Sequence, residues 1–440
     1  MASRLFGAVI NTAHVLDLGR LGHGSQGYAC HRCAGAAFYH EGVIRKAWGE
    51  GDPIIAFSGF NPDDYPGSAM IGINSSRISE MPVVMKTGFG EIAFVADASD
   101  EILERIEGIL QESQSLLEAI RICHTRIAKT DPFVLVVLCK EAIYATRNSR
   151  RKKLTVGSIN YAADAIISGA SATSGHYCSS QSGVLGPGSV FKFSVEPGDW
   201  VIVTKEGCQK GSVTPDIDDY SCWCDASFMM VQGNWVDGRL VQDIRRDLGV
   251  ECAIATAKKY PEILADPRSV LIPIPDGGNY YAVGFAEHMG WQSHLQDSNK
   301  MVKYVSDGIV KNKYPRDVWV DPYYVYNPKR VCVEDRIVIL IDDGVRHGYN
   351  IKAVIRRLRE YGALGIYAIF ASAQRCACMH GNGGEDLQNL PFAAGFAHED
   401  EMARALGIDG MVILDNEDRL KAINTPGRRH CFDCCWQSAV

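Results

Sequence analysis

The sequence has no surplus of positive charge. Its 45 lysines and arginines are outnumbered by 52 aspartates and glutamates, for a formal net charge of −7. A nucleic-acid or anionic-membrane surface needs the opposite balance, so neither partner is expected. Long apolar runs are missing as well: no stretch approaches the ~18–20 residues that span a bilayer. The opening residues, MASRLFGAVINTAH, lack the design of a secretory leader. A cytoplasmic location is therefore expected. Internal repeats and low-complexity tracts are absent too, which removes solenoid and tail-like architectures. What remains is an ordinary globular composition, 46% hydrophobic and 22% charged, in 440 residues, enough for two cores.

Cysteine is the exception to this restraint. Fifteen are present, and a large chain without a leader argues against a secreted disulfide framework. Cys123, Cys139 and Cys332 lie in apolar runs and read as small core residues. Three clusters do not: Cys222-Trp-Cys224, Cys376-Ala-Cys378 and Cys431-Phe-Asp-Cys434-Cys435. Those are candidate metal ligands.

The first half carries short alternating or apolar segments: LFGAVI, DPIIAFSGF, GEIAFVAD, FVLVVLCK, KLTVGSI and DWVIVT. Gly, Pro, Asn and Asp turns separate them, and one helix is expected from about Asp100 to Ala128. This is the grammar of a stacked-sheet α+β domain. From Gly238 the order becomes helix, strand, helix: a helix near Arg239–Lys259, the strand SVLIPIP, and a helix through Ala282–Met289. That predicts an open parallel sheet with helical layers. The expected domains are residues 1–235 and 236–440.

The densest information lies between Arg336 and Ser372. An apolar run ends in the carboxylate pair Asp342-Asp343. A glycine-containing loop, expected from Asp342 to Asn350, leads to an amphipathic run with Ile351, Val354, Ile355 and Leu358 on one face. A cap at Gly362 and a second buried strand follow. In such α/β units ligands sit beyond the carboxyl ends of the strands, so this loop is the expected seat of chemistry.

The run of motifs resembles the glutamine phosphoribosylpyrophosphate (PRPP) amidotransferase family, in order and over essentially the whole chain. HGSQGYA at His23–Ala29 is similar to the family's HRGQESA, and PVVMKTGFGEIAFVAD to its strand pair leading to the glutaminase oxyanion loop. VEPGDWVIV at Val195–Val203, VDGR at Val236–Arg239, LIPIPDGGNYYAVGFA, KNKYPRDVWVDP, YNPKRV, VILIDD and the tail EDEMARALGIDGMVILDNEDRLKAI follow in family order. The resemblance implies an N-terminal-nucleophile glutaminase-like domain, then a type I phosphoribosyltransferase domain. It also implies dimers or tetramers.

Residue by residue, the resemblance carries both retention and loss. The nucleophilic cysteine falls on Ser3, the glutamine-binding arginine on Ser75 (with Arg77 two positions on), and the oxyanion Asn-Gly on Asp97-Ala98. A carboxylate opposes oxyanion stabilisation, so the glutaminase is expected to be inactive. The ribose-binding acids fall on Asp342 and Asp343. The 5-phosphate loop Ser-Ile-Val-Arg-Gly-Thr-Thr falls on Gly344 to Asn350, keeping Gly348 and losing both threonines to Tyr349 and Asn350. The pyrophosphate loop falls on Pro275-Asp276-Gly277-Gly278, and the mobile loop on Lys311 to Trp319, with Lys313 and Arg316 as cations and Asp317 in place of an arginine. Magnesium would accompany a PRPP-like ligand.

The family's four iron–sulfur ligands fall on Cys222, Cys378, Cys431 and Cys434. A 4Fe–4S cluster is the implied cofactor and zinc the chemical alternative, with scattered thiols the bland one; Cys224, Cys376 and Cys435 adjoin the set. Two functions follow: a glutaminase-deficient enzyme acting on a PRPP-like ligand, or a pseudoenzyme serving as scaffold or regulator of a protein partner. A bifunctional amidotransferase would require Ser3 to be unmasked.

Overall fold

The computed structural model describes residues 4–10, 33–50, 68–75, 81–128, 131–161, 173–182, 189–213, 220–291, 303–314, 320–376 and 391–438. Contacts divide the chain into two compact units. One is built from Met1–Cys222 with Gly233–Gly238, the other from Trp223–Gln232, Arg239–Met379 and Glu385–Val440. The short stretch Trp223–Gln232 thus belongs with the second unit although it precedes residue 235.

The first unit holds two antiparallel sheets. Its strands are β1 (Arg4–Ile10), β2 (Cys33–His40), β3 (Val43–Glu50), β4 (Ala69–Ser75), β5 (Val83–Thr87), β6 (Gly90–Asp97), β7 (Val134–Cys139), β8 (Ala142–Arg147), β9 (Thr155–Tyr161), β10 (Thr173–Ser179), β11 (Ser189–Ser194), β12 (Asp199–Val203) and β13 (Cys208–Ser212). The orders are β11-β9-β10-β1-β4-β2-β3 and β13-β12-β8-β7-β6-β5. Side chains alternate across a strand, and β6 uses both faces. Ala93 and Val95 pack with Leu5, Val9, Ile71 and Ile73 of the other sheet. Ile92, Phe94 and Ala96 meet a helical layer through Ile102, Ile106 and Ile109. A strand buried on both faces must be nearly all apolar, as GEIAFVAD is.

That helical layer corrects one expectation. Two helices, α1 (Asp100–Glu112) and α2 (Leu116–Arg126), stand where one was expected. Serines make the break. The Ser113 hydroxyl bonds back to the Ile109 carbonyl at 2.7 Å. Ser115 caps α2 by accepting from the Glu118 amide at 3.2 Å, while Glu118 accepts from the Gln114 amide at 2.8 Å. These two bonds satisfy amides that a continuous helix would bond internally, and so offset the lost turn. The segment DPIIAFSGF lies outside the described residues.

The second unit is built on a parallel sheet in the order β14 (Ser269–Pro273), β17 (Ile337–Val345), β18 (Gly365–Ala373), β19 (Gly410–Ile413). A separate hairpin pairs β15 (Ile309–Lys311) with β16 (Tyr326–Pro328). The helices are α3 (Val241–Lys259), α4 (Asn279–His288), α5 (Tyr349–Glu360), α6 (Glu399–Leu406) and α7 (Asn416–Ile423). On α5, Ile351, Val354, Ile355 and Leu358 are buried against Val338, Leu340, Ile366 and Ala368. Each such side chain contributes roughly 1.5–3 kcal/mol as an upper bound, enough to hold a helix of twelve residues that is marginal alone. A second expectation also shifts. β17 does not end at the carboxylates but runs on to Val345, because Asp342 pairs with Phe370, Gly344 with Ser372 and Val345 with Ala373. The loop is correspondingly shorter.

Candidate functional site

Asp342 and Asp343 are half-buried at the carboxyl end of β17, a place set by the parallel ladder. The Asp343 amide donates to Asp342 Oδ1 at 2.9 Å. The turn after β14 closes over the pair: the Ile274 amide donates to the Ile341 carbonyl, and the Gly278 amide to that of Ile274, both at 2.9 Å. This approach needs glycine. A Cβ on Gly277 would stand 2.2 Å from Asp343 Oδ2, and one on Gly278 would stand 2.3 Å from the Ile341 oxygen. Asp276, joined to Pro275 by a cis peptide bond, accepts from Lys311 Nζ at 3.1 Å. Lys313 is exposed beyond it. Arg316 and Asp317 lie outside the described residues.

Electrostatics make the carboxylate pair unusual. Burial, then the charge of Asp343, raises Asp342 well above the ordinary carboxylate range. Burial pushes Asp343 up to about 6, against the opposing pull of Arg245, the Gly344 amide and Lys311. Two acids held together without full solvation favour a bound cation or hydroxyl donors, which stabilise their charged forms.

Two residues at this site escaped the sequence reading. Arg245, on α3, is buried and donates to the carbonyls of Ala226 at 3.1 Å and Met230 at 2.8 Å. In sequence it is one of many helix charges, and nothing marks it. Tyr326, on β16, is buried where Asp342, Asp276 and Asp343 all act on its hydroxyl and, after burial itself, push it up. Only tertiary proximity reveals either.

The phosphate half differs. Gly348 caps α5 in the left-handed conformation, φ 77°. Tyr349 and Asn350 follow, both exposed. His347 Nδ1 is buried and unpartnered. Beside the first turns of α5 lies a cavity of about 770 Å³ lined by Asp321, Tyr323, Tyr349, Asn350, Lys352 and Arg356. Arg356 stacks on the Tyr323 ring at 4.8 Å, so the cavity is aromatic and cationic at once.

In the first unit, Asp97 closes β6 with its Oδ2 3.0 Å from Lys152 Nζ. The two side chains are only 12% and 7% exposed. Nearby, Arg147 donates to the Val195 and Lys152 carbonyls, and Arg150 pairs with Glu196 at 2.6 Å. Each charge in this cluster has a protein partner. Ser75 closes β4. Ser3, His23–Ala29 and Arg77 lie outside the described residues.

The thiols divide between the units. Cys222 is buried at the end of the first. In the second, Cys224 Sγ stands 3.7 Å from Cys434 Sγ. Cys376 approaches the Asp433 carbonyl at 3.7 Å, and the Arg375 amide donates to the Cys434 carbonyl at 2.9 Å. Cys431 is half-buried, and Cys378 lies outside the described residues. Four thiolates around one ion at 2.3 Å would stand about 3.8 Å apart, so the Cys224–Cys434 edge fits a thiophilic metal. Among the described residues no group of three or more His, Cys, Asp or Glu side chains is set to hold a metal ion. The thiol chemistry fits; the full ligand set is not assembled there.

No family model matches the chain. It is 24% identical over 260 residues to the amidophosphoribosyltransferase of Bacillus subtilis, covering 57% of this chain and 49% of that protein. To the chloroplastic amidophosphoribosyltransferase 1 of Arabidopsis thaliana it is 21% identical over 425 residues, covering 90% and 70% respectively. The aligned region thus spans about half the length of the bacterial relative. Among solved structures, the glutamine PRPP amidotransferase of B. subtilis complexed with ADP and GMP superposes with a TM-score of 0.74 at 18% identity, over 98% of this chain and 96% of that one. That last likeness is one of fold: an N-terminal-nucleophile-type domain and a phosphoribosyltransferase-type domain. No described helix is long and apolar enough to cross a membrane.

Proposed function

We propose that this chain, a diverged relative of the amidophosphoribosyltransferases, binds a PRPP-like or other ribose-phosphate ligand and has lost glutamine hydrolysis. The observation that carries the reading is the closure of Asp276-Gly277-Gly278 onto Asp342 and Asp343. Two acids at a strand end accept hydrogen bonds from a ribose diol, and a glycine turn without side chains lets a pyrophosphate approach the backbone closely. Magnesium, when bound with such a ligand, would neutralise phosphate charge, with carboxylate oxygens of this site as its donors. Lys311 supplies a fixed cation at the pyrophosphate side, and Lys313 and Arg316 extend it.

Loss of the glutaminase is supported by Lys152. The carboxylate that stands where an oxyanion donor is implied is held in a buried ion pair, leaving neither partner to polarise an amide. Ammonia or another nucleophile would then come from solution or a partner. The C-terminal thiols serve a structural thiolate-bound centre, iron–sulfur or zinc, in this reading. A scaffold without catalysis is the second reading, favoured by one observation: the bulky Tyr349 stands where a phosphate-binding hydroxyl is implied.

Calorimetric titration of anaerobically purified protein with PRPP and magnesium tests the first reading. Saturable binding, lost in D342N/D343N, is expected, with no glutamate released from glutamine. Folded protein that gives no heat at millimolar ligand would sink the ligand assignment and leave the scaffold. Steady release of glutamate would sink the loss of the glutaminase.

A further inference from the structure

The hairpin of β15 and β16 brings two side chains to the acids. Lys311 and Tyr326 are register partners in it, and directly opposed residues of an antiparallel pair project on the same face. Lys311 reaches Asp276. Tyr326 is 6% exposed and belongs to the buried core that holds Ile272, Ile309 and Leu340. At its hydroxyl end, Asp342, Asp276 and Asp343 all act on it. The backbone that carries it is tied down on every side. The Asn312 amide donates to the Val325 carbonyl and the Lys329 amide to the Gly308 carbonyl, both at 2.8 Å. Arg357 Nη1, from α5, donates to Asn327 Oδ1 at 2.7 Å.

The Tyr326 hydroxyl has no hydrogen-bond partner among the described residues, yet it is not one of the sealed, unpartnered atoms. It therefore keeps contact with solvent and with whatever occupies the acids. Burial and the surrounding carboxylates push the phenol up, so it keeps its proton and stays a donor. A ribose diol needs one. Each sugar hydroxyl gives its proton to an acid and still has lone pairs to satisfy, and ionised carboxylates only accept. The nearby cations are engaged, Lys311 with Asp276, and Arg245 through Nε and Nη2 with backbone carbonyls. Tyr326 also stands between the diol acids, Asp342 and Asp343, and Asp276 of the pyrophosphate turn. Of the two diol carbons, only C2 is bonded to C1, which carries the pyrophosphate in PRPP. The sugar oxygen that falls between those groups is the one on C2.

We infer that the Tyr326 hydroxyl donates a hydrogen bond to the 2-hydroxyl of the bound sugar and restricts the site to ribose phosphates, against their 2-deoxy analogues. The inference rests on the ribose-phosphate reading above and deepens it by adding a neutral donor to the acids. Tyr326 is in this role a specificity residue. A 2-deoxy sugar would leave both the phenol and a carboxylate unpaired, and a site built to bond a hydroxyl rejects the analogue that lacks it.

The test titrates full-length wild type and Y326F calorimetrically with PRPP and magnesium, with ribose 5-phosphate and with 2-deoxyribose 5-phosphate. Wild type should favour the ribose phosphate over its 2-deoxy analogue. Y326F keeps the ring, so its melting temperature should hold. Its affinity for ribose 5-phosphate should fall on the order of five- to tenfold, while that for the 2-deoxy sugar stays at the wild-type value. In a second measurement, 3-fluorotyrosine placed at position 326 preserves ring and hydroxyl. Its fluorine resonance should move with ribose 5-phosphate and much less with the 2-deoxy sugar. A purely structural Tyr326 would make Y326F weaken both sugars alike, and that result overturns the inference, as does unchanged affinity for both. Wild type that binds PRPP but does not distinguish the two sugars overturns the inference alone. Folded wild type that binds none of these ligands overturns the ribose-phosphate reading and the inference with it.

Discussion

Lys152 Nζ lies 3.0 Å from Asp97 Oδ2, joining residues 55 positions apart inside the first unit. The energetics of the pair are asymmetric. Each charge offsets the other's desolvation, so removing one strands its partner. Asp97→Ala is expected to cost about 3–5 kcal/mol of stability, and D97A/K152M to recover most of it. Urea unfolding of the two variants and wild type checks the coupling. Equal losses in single and double variants would mean that the pair is not what holds these side chains.

The Asp342–Asp343 pair sets a pH dependence. Both carboxyls are raised in the folded chain, Asp343 to about 6, so between the unfolded value near 4 and that midpoint the native state binds the extra proton. The Asp343 contribution to stability is therefore present in acid and is lost as pH rises through about 6. Asp343→Asn should stabilise the ligand-free protein at pH 7.5 and have little effect at pH 5. Ligand binding that needs the charged pair should strengthen over the same rise. Thermal melts and titrations at both pH values read the two effects.

His124 has the opposite sign. Its Nε2 lies 2.7 Å from Thr146 Oγ1, and burial lowers it to about 4 against the opposing charge of Asp199. Stability from the neutral ring is present above the unfolded value near 6.5 and is lost as pH falls through 4. The ring proton resonances should titrate near pH 4, and His124→Gln should flatten the acid limb of the stability curve. A midpoint near 6.5 would show a solvated ring.

Gly277 admits no side chain while Asp343 stays in place. Gly277→Ala should weaken the ribose-phosphate ligand at least tenfold while shifting the melting temperature little, since the turn lies at an open strand end. Undiminished affinity would place the ligand elsewhere.

Restoring hydroxyls is the converse experiment. Y349T/N350T should tighten binding of a 5-phosphorylated ligand but leave a ribose without phosphate unaffected, as judged by calorimetry. An equal change for both would remove the first turn of α5 from the phosphate role.

Local pattern carried much of this reading. The four apolar positions of α5, the cap at Gly362 (φ 81°) and the apolar strands of both units follow from periodicity and turn chemistry over a few residues. The carboxylate pair could be placed at a strand end because an apolar run stops at it. Other features depend on partners far along the chain. The extension of β17 to Val345 comes from a ladder with residues near Ser372. The break between α1 and α2 turned on serines whose hydroxyls serve a helix interior and a cap about equally in sequence.

The sequence by itself determined the strands and helices, the order of the two domain types and the acids and thiols from which a site could be built. Only the tertiary structure decided which of these meet: Asp97 with Lys152, Arg245 and Tyr326 with the Asp342–Asp343 pair, and Cys224 with Cys434. The physical reason is range. Helix and strand formation is governed by neighbours within a few residues, whereas charge and thiol partnerships are set by the packing of segments up to 210 residues apart, which no local pattern encodes.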